Sequence, residues 1–171
     1  MVLHGFAGNG RSMDDVSLAL ARDFEVIAPD LPGHGRSIGA DDGPVYAIDD
    51  CLDRLAATLD HAGHARAHWL GYSMGARLAL AFALRFPERA VSLLLVGARA
   101  GIECSSQRAA RRCADDDLAN RIEANGIEAF VDEWLAQPLF ASQQRLGGEF
   151  VAAQRRQRLD NDARSLAASL R

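Results

Sequence analysis

The chain has 171 residues, 49% apolar and 25% charged, the mixture of an ordinary globular protein long enough for one domain with a sizeable core. Disordered, collagen-like and disulfide-scaffold chains are excluded, and the longest apolar runs, such as residues 78–84 and 91–96, are too short to span a bilayer. Net charge is −4 and all 19 basic residues are arginine, without the basic excess expected of a nucleic-acid binder.

In chain order, Met1–Leu3 reads as the end of a strand. Residues 12–22 place Val16, Leu18, Leu20 and Ala21 at helical spacing, with Ser12 as N-cap. A β-branched run over 25–28 predicts a buried strand. The Gly-, Pro- and Asp-rich residues 30–44 predict loop. Residues 46–61 set Ile48, Cys51, Leu52, Leu55 and Leu59 on one helical face. A strand over 68–71, a helix over 74–86 and a strand over 90–96 follow. Strand–helix alternation predicts a parallel sheet flanked by helices on both faces, an α/β fold.

Composition changes near Cys104. From there to Arg171 the pattern is helix after helix, anchored by residues 131–134, 139–140 and 150–151, with Asp115–Asp117 as a solvated face or turn. The expected division is a core over 1–100 and a helical cap over 101–171. Cys51, Cys104 and Cys113 show neither Cys-x-x-Cys nor metal-like spacing with His, so they are expected to be small fillers or incidental thiols. No metal or organic cofactor is expected. Met1 is not followed by a basic or long apolar leader, so the expected setting is cytoplasmic.

The chemistry concentrates in Gly71-Tyr72-Ser73-Met74-Gly75, a G-x-S-x-G between a predicted strand and a predicted helix. A sharp turn there needs small flanking residues and lifts the Ser73 hydroxyl clear of the sheet. It also leaves the Met74 N–H free at a helix N-terminus, where it can stabilise an oxyanion. His4-Gly5-Phe6, after the first strand, offers the Phe6 N–H as a second donor, or else is only a glycine-rich turn. Residues 30–37 (DLPGHGRS) read as a shaping loop, with His34 a weak candidate base.

These three elements in this order resemble the α/β-hydrolase superfamily over residues 1 to about 97. Residues 71–77 (GYSMGAR), 107–111 (QRAAR), 130–140 (FVDEWLAQPLF) and 165–171 (SLAASLR) further resemble the 2-succinyl-6-hydroxy-2,4-cyclohexadiene-1-carboxylate synthases of menaquinone biosynthesis. That resemblance implies a lyase eliminating pyruvate from a succinyl-bearing enolpyruvyl cyclohexene carboxylate, with Ser73 acting as base. It implies a small anionic carboxylate substrate held by Arg77 and Arg111, with Trp134 as a cap aromatic and Tyr72 in contact. Arginine suits this role because its planar fork meets carboxylate bidentately. For each of these arginines a solvated helix position is the plainer alternative, and for Trp134 and Tyr72 it is packing. Ala76 departs from the family, which commonly has glycine there, and is expected to narrow the elbow slightly.

One requirement is unmet. An activated serine needs a base held by a third group, ordered Ser, Asp, His in this fold, yet the histidines are His4, His34, His61, His64 and His68, all before Ser73. The expectation is therefore a chain truncated at both ends, inactive alone. Alternatives are a carboxylesterase or C–C hydrolase of the same fold, and a non-catalytic binding module using the pocket.

Overall fold

A computed structural model describes residues 1–38 and 46–171. Strand β1 (Val2–Leu3) leads through a 3-10 turn (Gly10–Met13) into helix α1 (Asp14–Leu20). Helix α2 (Ile48–His61), strand β2 (Ala67–Tyr72), helix α3 (Met74–Arg85) and strand β3 (Ala90–Val96) complete the first half. Helices α4 (Ser105–Leu135), α5 (Gly148–Leu159) and α6 (Ala163–Ala168), with a 3-10 stretch over Pro138–Leu146, make up the second. The described strands form one parallel sheet, ordered β1-β2-β3, with Leu3 opposite Gly71 and Tyr72 opposite Val96.

Hydrophobic periodicity places the helices well. Helix α2 buries Cys51, Leu52, Leu55, Ala56 and Leu59, against Trp69 and Phe82, whose ring centroids are 4.0 Å apart. Ile48, expected on this face, sits in the first turn and is exposed. A second cluster joins Ala7 to Ala119, Ile122, Phe130, Val131, Leu166 and Ala167, seating the C-terminal helices on the loop after β1.

Two expectations need correcting. Ser12 does not cap an α-helix: the Asn9 side chain accepts from the Ser12 N–H at 3.1 Å, and Ser12 Oγ accepts from the Asn9 N–H at 2.9 Å. These reciprocal bonds fix a 3-10 turn first, and α1 starts only at Asp14. Residues 25–28 form no strand. Only the Val2 N–H, donating to Ile27 O at 2.8 Å, ties them to β1, which is two residues long and can support no longer ladder. The parallel sheet is flanked by helices as expected, and it is at β3 that Val91, Leu93, Leu94 and Val96 are exposed. The loop predicted over 30–44 lies partly outside the described residues, from position 39 onward.

Helix α4 is broken at Gly126, whose φ of 81° and ψ of 174° leave helical geometry; a left-handed φ of this kind favours glycine. The break separates an arm with Arg111 and Asp115 from an arm with Phe130 and Trp134.

Candidate active site

The turn at Ser73 follows from collisions. A Cβ on Gly75 would stand 2.4 Å from Leu3 O and 2.5 Å from His4 O, and one on Gly71 would stand 2.5 Å from the Ala76 Cα. Only glycine lets α3 start directly against the end of β1, where the Gly75 N–H donates to His4 O at 3.0 Å. The Ser73 N–H donates to Val96 O of β3 at 2.8 Å. So held, Ser73 adopts φ 53° and ψ −108°, a strained conformation for a non-glycine residue. Ala76 is wholly buried beneath the turn and does not line the cavity above it.

That cavity, of about 630 Å³, is lined by Ser73, Met74, Phe6, Tyr72, Arg77, Arg111 and Trp134. Of the candidate site residues read from the sequence, these seven are thus on one wall or another of a single concavity, whereas His34 is not. Met74 is the first residue of α3, where a backbone N–H has no intrahelical acceptor. Trp134 both packs and lines: its ring meets Phe6 edge-on at 5.4 Å and lies 5.6 Å from Phe130, while its indole N–H is buried without a partner. Tyr72 lies against Gly5 and is partly open to solvent.

Sequence reasoning missed Arg99, Arg121 and Arg158, which line the same cavity, as do the acids Asp115 and Glu133. Arg158 is the notable one. It is buried, stacks 5.6 Å over the Phe140 ring, and donates through Nη1 to Gln154 O at 2.9 Å and Gln154 Oε1 at 2.7 Å. Its Nε has no acceptor, and among the described residues no carboxylate lies within salt-bridge distance. Burial pulls its pKa down, with Tyr72 opposing. Arg155, three residues earlier, pairs with Asp132 on the surface; nothing local in the sequence separates the two.

Arg77 is more exposed, and its electrostatics point the same way. Desolvation lowers its pKa, as do Arg111 and Arg99, while Asp115 opposes them. Arg111 Nε donates to Asp115 Oδ2 at 2.7 Å, and Arg121 lies 3.6 Å from Glu133. Asp115, expected on a solvated face, therefore turns inward.

None of the histidines lines the cavity. His4 is buried with both nitrogens engaged: Nε2 accepts from the Leu31 N–H at 2.9 Å, so Nδ1 carries the proton and donates to Gly5 O at 2.9 Å. His34 is buried edge-on to Phe6, with Nδ1 3.0 Å from Pro32 O. Burial, then repulsion from His4, pushes its pKa down to about 3. Neither serves as base to Ser73. Among the described residues no cluster of His, Cys, Asp or Glu could hold a metal ion, and no helix is long and apolar enough to cross a membrane.

A strained serine at a strand–helix turn, over a parallel sheet flanked by helices, defines a class, and the chain belongs to it: a family model of the alpha/beta hydrolase fold matches residues 1–165. Within that class it is 32% identical, over 98% of its length, to the 2-succinyl-6-hydroxy-2,4-cyclohexadiene-1-carboxylate synthase of Enterobacter sp. (strain 638). It is 37% identical, again over 98% of its length, to a Bacillus subtilis (strain 168) protein provisionally named for the same synthase. These alignments cover 62% and 61% of the two relatives, so the chain spans about three fifths of their length. The solved structure of MenH from S. aureus superposes over the whole chain and 65% of its own length, with a TM-score of 0.91 and 33% identity. A malate-bound esterase from Thermogutta terrifontis superposes over 99% of the chain and 60% of its own length, with a TM-score of 0.82 and 25% identity.

Proposed function

We propose that these residues supply the nucleophile, oxyanion donors and substrate pocket of a lyase that eliminates pyruvate from a succinyl-enolpyruvyl-hydroxycyclohexene carboxylate, in menaquinone biosynthesis. The observation carrying this reading is the ring of arginines around Ser73, one of them buried without a carboxylate partner. A buried, unpaired cation is costly unless a ligand anion completes it. The synthase's named product bears two carboxylate groups, on the ring and on the succinyl chain, and two separated groups of arginines match them: Arg77 with Arg111, and Arg158.

In this reading Ser73, its own proton passed to an activating base, takes the ring proton as the alkoxide; the freed electron pair forms a ring double bond, the carbon–oxygen bond to the enolpyruvyl group breaks, and the departing enolate takes up a proton to become pyruvate. The Phe6 and Met74 N–H groups stabilise the negative charge that develops on oxygen. Tyr72 and Trp134 pack against the ring. Residues 1–100 form the catalytic layer and 101–171 the cap that closes over it. Exposed thiols at Cys104 and Cys113 suit a reducing, cytoplasmic setting. The base that would activate Ser73 is not among the residues lining the cavity, so the 171-residue chain should bind this substrate yet turn it over slowly. An esterase for neutral esters has no use for a cationic pocket.

The test follows substrate binding through tryptophan fluorescence and pyruvate release through a coupled assay. Saturable binding, retained in Ser73→Ala and weakened in Arg158→Met, is expected. A chain that prefers a neutral ester to the carboxylate-bearing substrate would defeat the reading. Fast pyruvate release lost in Ser73→Ala would show that the activating base lies within these residues after all.

A further inference from the structure

Two carboxylates stand on the wall of a cavity otherwise rich in arginine, Asp115 and Glu133. An acid in a pocket for anions repels the ligand, so its presence calls for a reason. Helix stability is a poor one. Arg111 precedes Asp115 by one turn of α4, and a cation N-terminal to its anion is the weaker order for such pairs. Of the aspartate triplet 115–117, only Asp115 lines the cavity; Asp116 and Asp117 are exposed.

The geometry of the pair is specific. Asp115 Oδ2 accepts from Nε of Arg111 at 2.7 Å, and among the described residues the terminal nitrogens make no hydrogen bond. The flank of the guanidinium is thus anchored while its end is left to a ligand. Arg77 approaches from α3, with no carboxylate in salt-bridge range among the described residues. Arg111 and Arg99 repel its charge, and Asp115 attracts it. Without Asp115, two neighbouring guanidinium groups on separate elements would push apart.

We propose that Asp115 is the positioning residue of a two-arginine carboxylate clamp. It anchors Arg111 through Nε, leaves both terminal nitrogens to the ligand, and offsets the repulsion that would separate Arg111 from Arg77. The inference rests on the reading of the cavity as a carboxylate pocket and assigns the arrangement of one end of it. Fixing a long side chain in advance removes ordering entropy from the binding step.

The test is a double-mutant cycle with succinate as probe, measured by calorimetry on the full chain. The cycle separates the two effects of Asp115, because its through-space repulsion of the ligand persists when Arg111 is absent and its anchoring does not. Asp115→Asn is expected to weaken succinate binding about fivefold when Arg111 is present. In an Arg111→Gln background the same change should leave binding unchanged or slightly tighter. Asp115→Glu, which can still reach Arg111, should retain affinity within about twofold. Equal effects of Asp115→Asn in the two backgrounds would overturn the inference while leaving the pocket reading intact. A wild-type chain that binds dimethyl succinate but not succinate overturns the pocket reading and this inference with it. Urea unfolding of each variant identifies any that fail to fold, and Asp115→Ser replaces Asn if that variant does.

Discussion

Asn161 holds the carbonyl of Ala7 from 154 residues away: its Nδ2 donates to Ala7 O at 3.0 Å. Ala7 has φ 60°, unfavourable for alanine, and follows Phe6. The same carboxamide accepts the Gly35 N–H at 2.8 Å through Oδ1. One side chain between α5 and α6 therefore ties down the loop after β1 and the loop at Gly35. Asn161→Ala leaves a buried carbonyl and a buried N–H without partners. It should destabilise the chain by about 2 kcal/mol, read as a lower urea midpoint, and weaken ligand binding in parallel.

Gly75→Ala forces a methyl into two backbone oxygens at the end of β1. Neither oxygen can retreat without breaking the contact between β1 and α3, so a loss of about 3 kcal/mol or failure to fold is expected. A soluble variant with unchanged stability would refute the close-approach account of the turn.

His34 makes stability depend on pH. Its folded pKa is lowered to about 3, by burial and then His4, so the unfolded chain binds the proton more readily. The stabilisation is present above pH ~6.5 and is lost as pH falls from there toward about 3, with a limiting slope near 1.4 kcal/mol per pH unit. His4 is shifted in the same direction. Denaturant midpoints taken between pH 7 and 5 should fall, and His34→Gln should flatten the profile.

Arg158→Met keeps the stack on Phe140 and removes the charge. Succinate affinity should fall more than tenfold, the usual consequence of losing a buried charged partner. Arg156→Met, two residues away on the exposed face, should leave affinity unchanged.

Leu94 is 57% exposed on β3, beside other bare apolar side chains. Such a strand is a template for pairing with another chain. Sedimentation should show concentration-dependent self-association of the wild type, reduced by Leu94→Lys.

The serine turn was legible because its glycines are required by backbone collisions that any sequence must obey. The strand over 90–96 was legible from its β-branched and leucine content. Residues 25–28 have similar content, yet a strand exists only where a neighbour offers a ladder, and β1 is too short. The cavity's outline could be anticipated from Arg77, Arg111 and Trp134. Arg158 could not, because its burial depends on Phe140 and Gln154 enclosing it, and the run of arginines around it carries no mark of which one turns inward. Asp115 was hidden likewise inside a triplet whose other members face water.

The break at Gly126 places Arg111, Asp115 and Arg121 on one arm of α4 and Phe130, Glu133 and Trp134 on the other, all lining the same cavity. An unbroken helix would carry both sets along one straight axis, so two walls of the concavity exist because one residue leaves helical geometry. A side chain at position 126 would work against that left-handed φ, which makes a single glycine a determinant of cavity shape although it lines none of it.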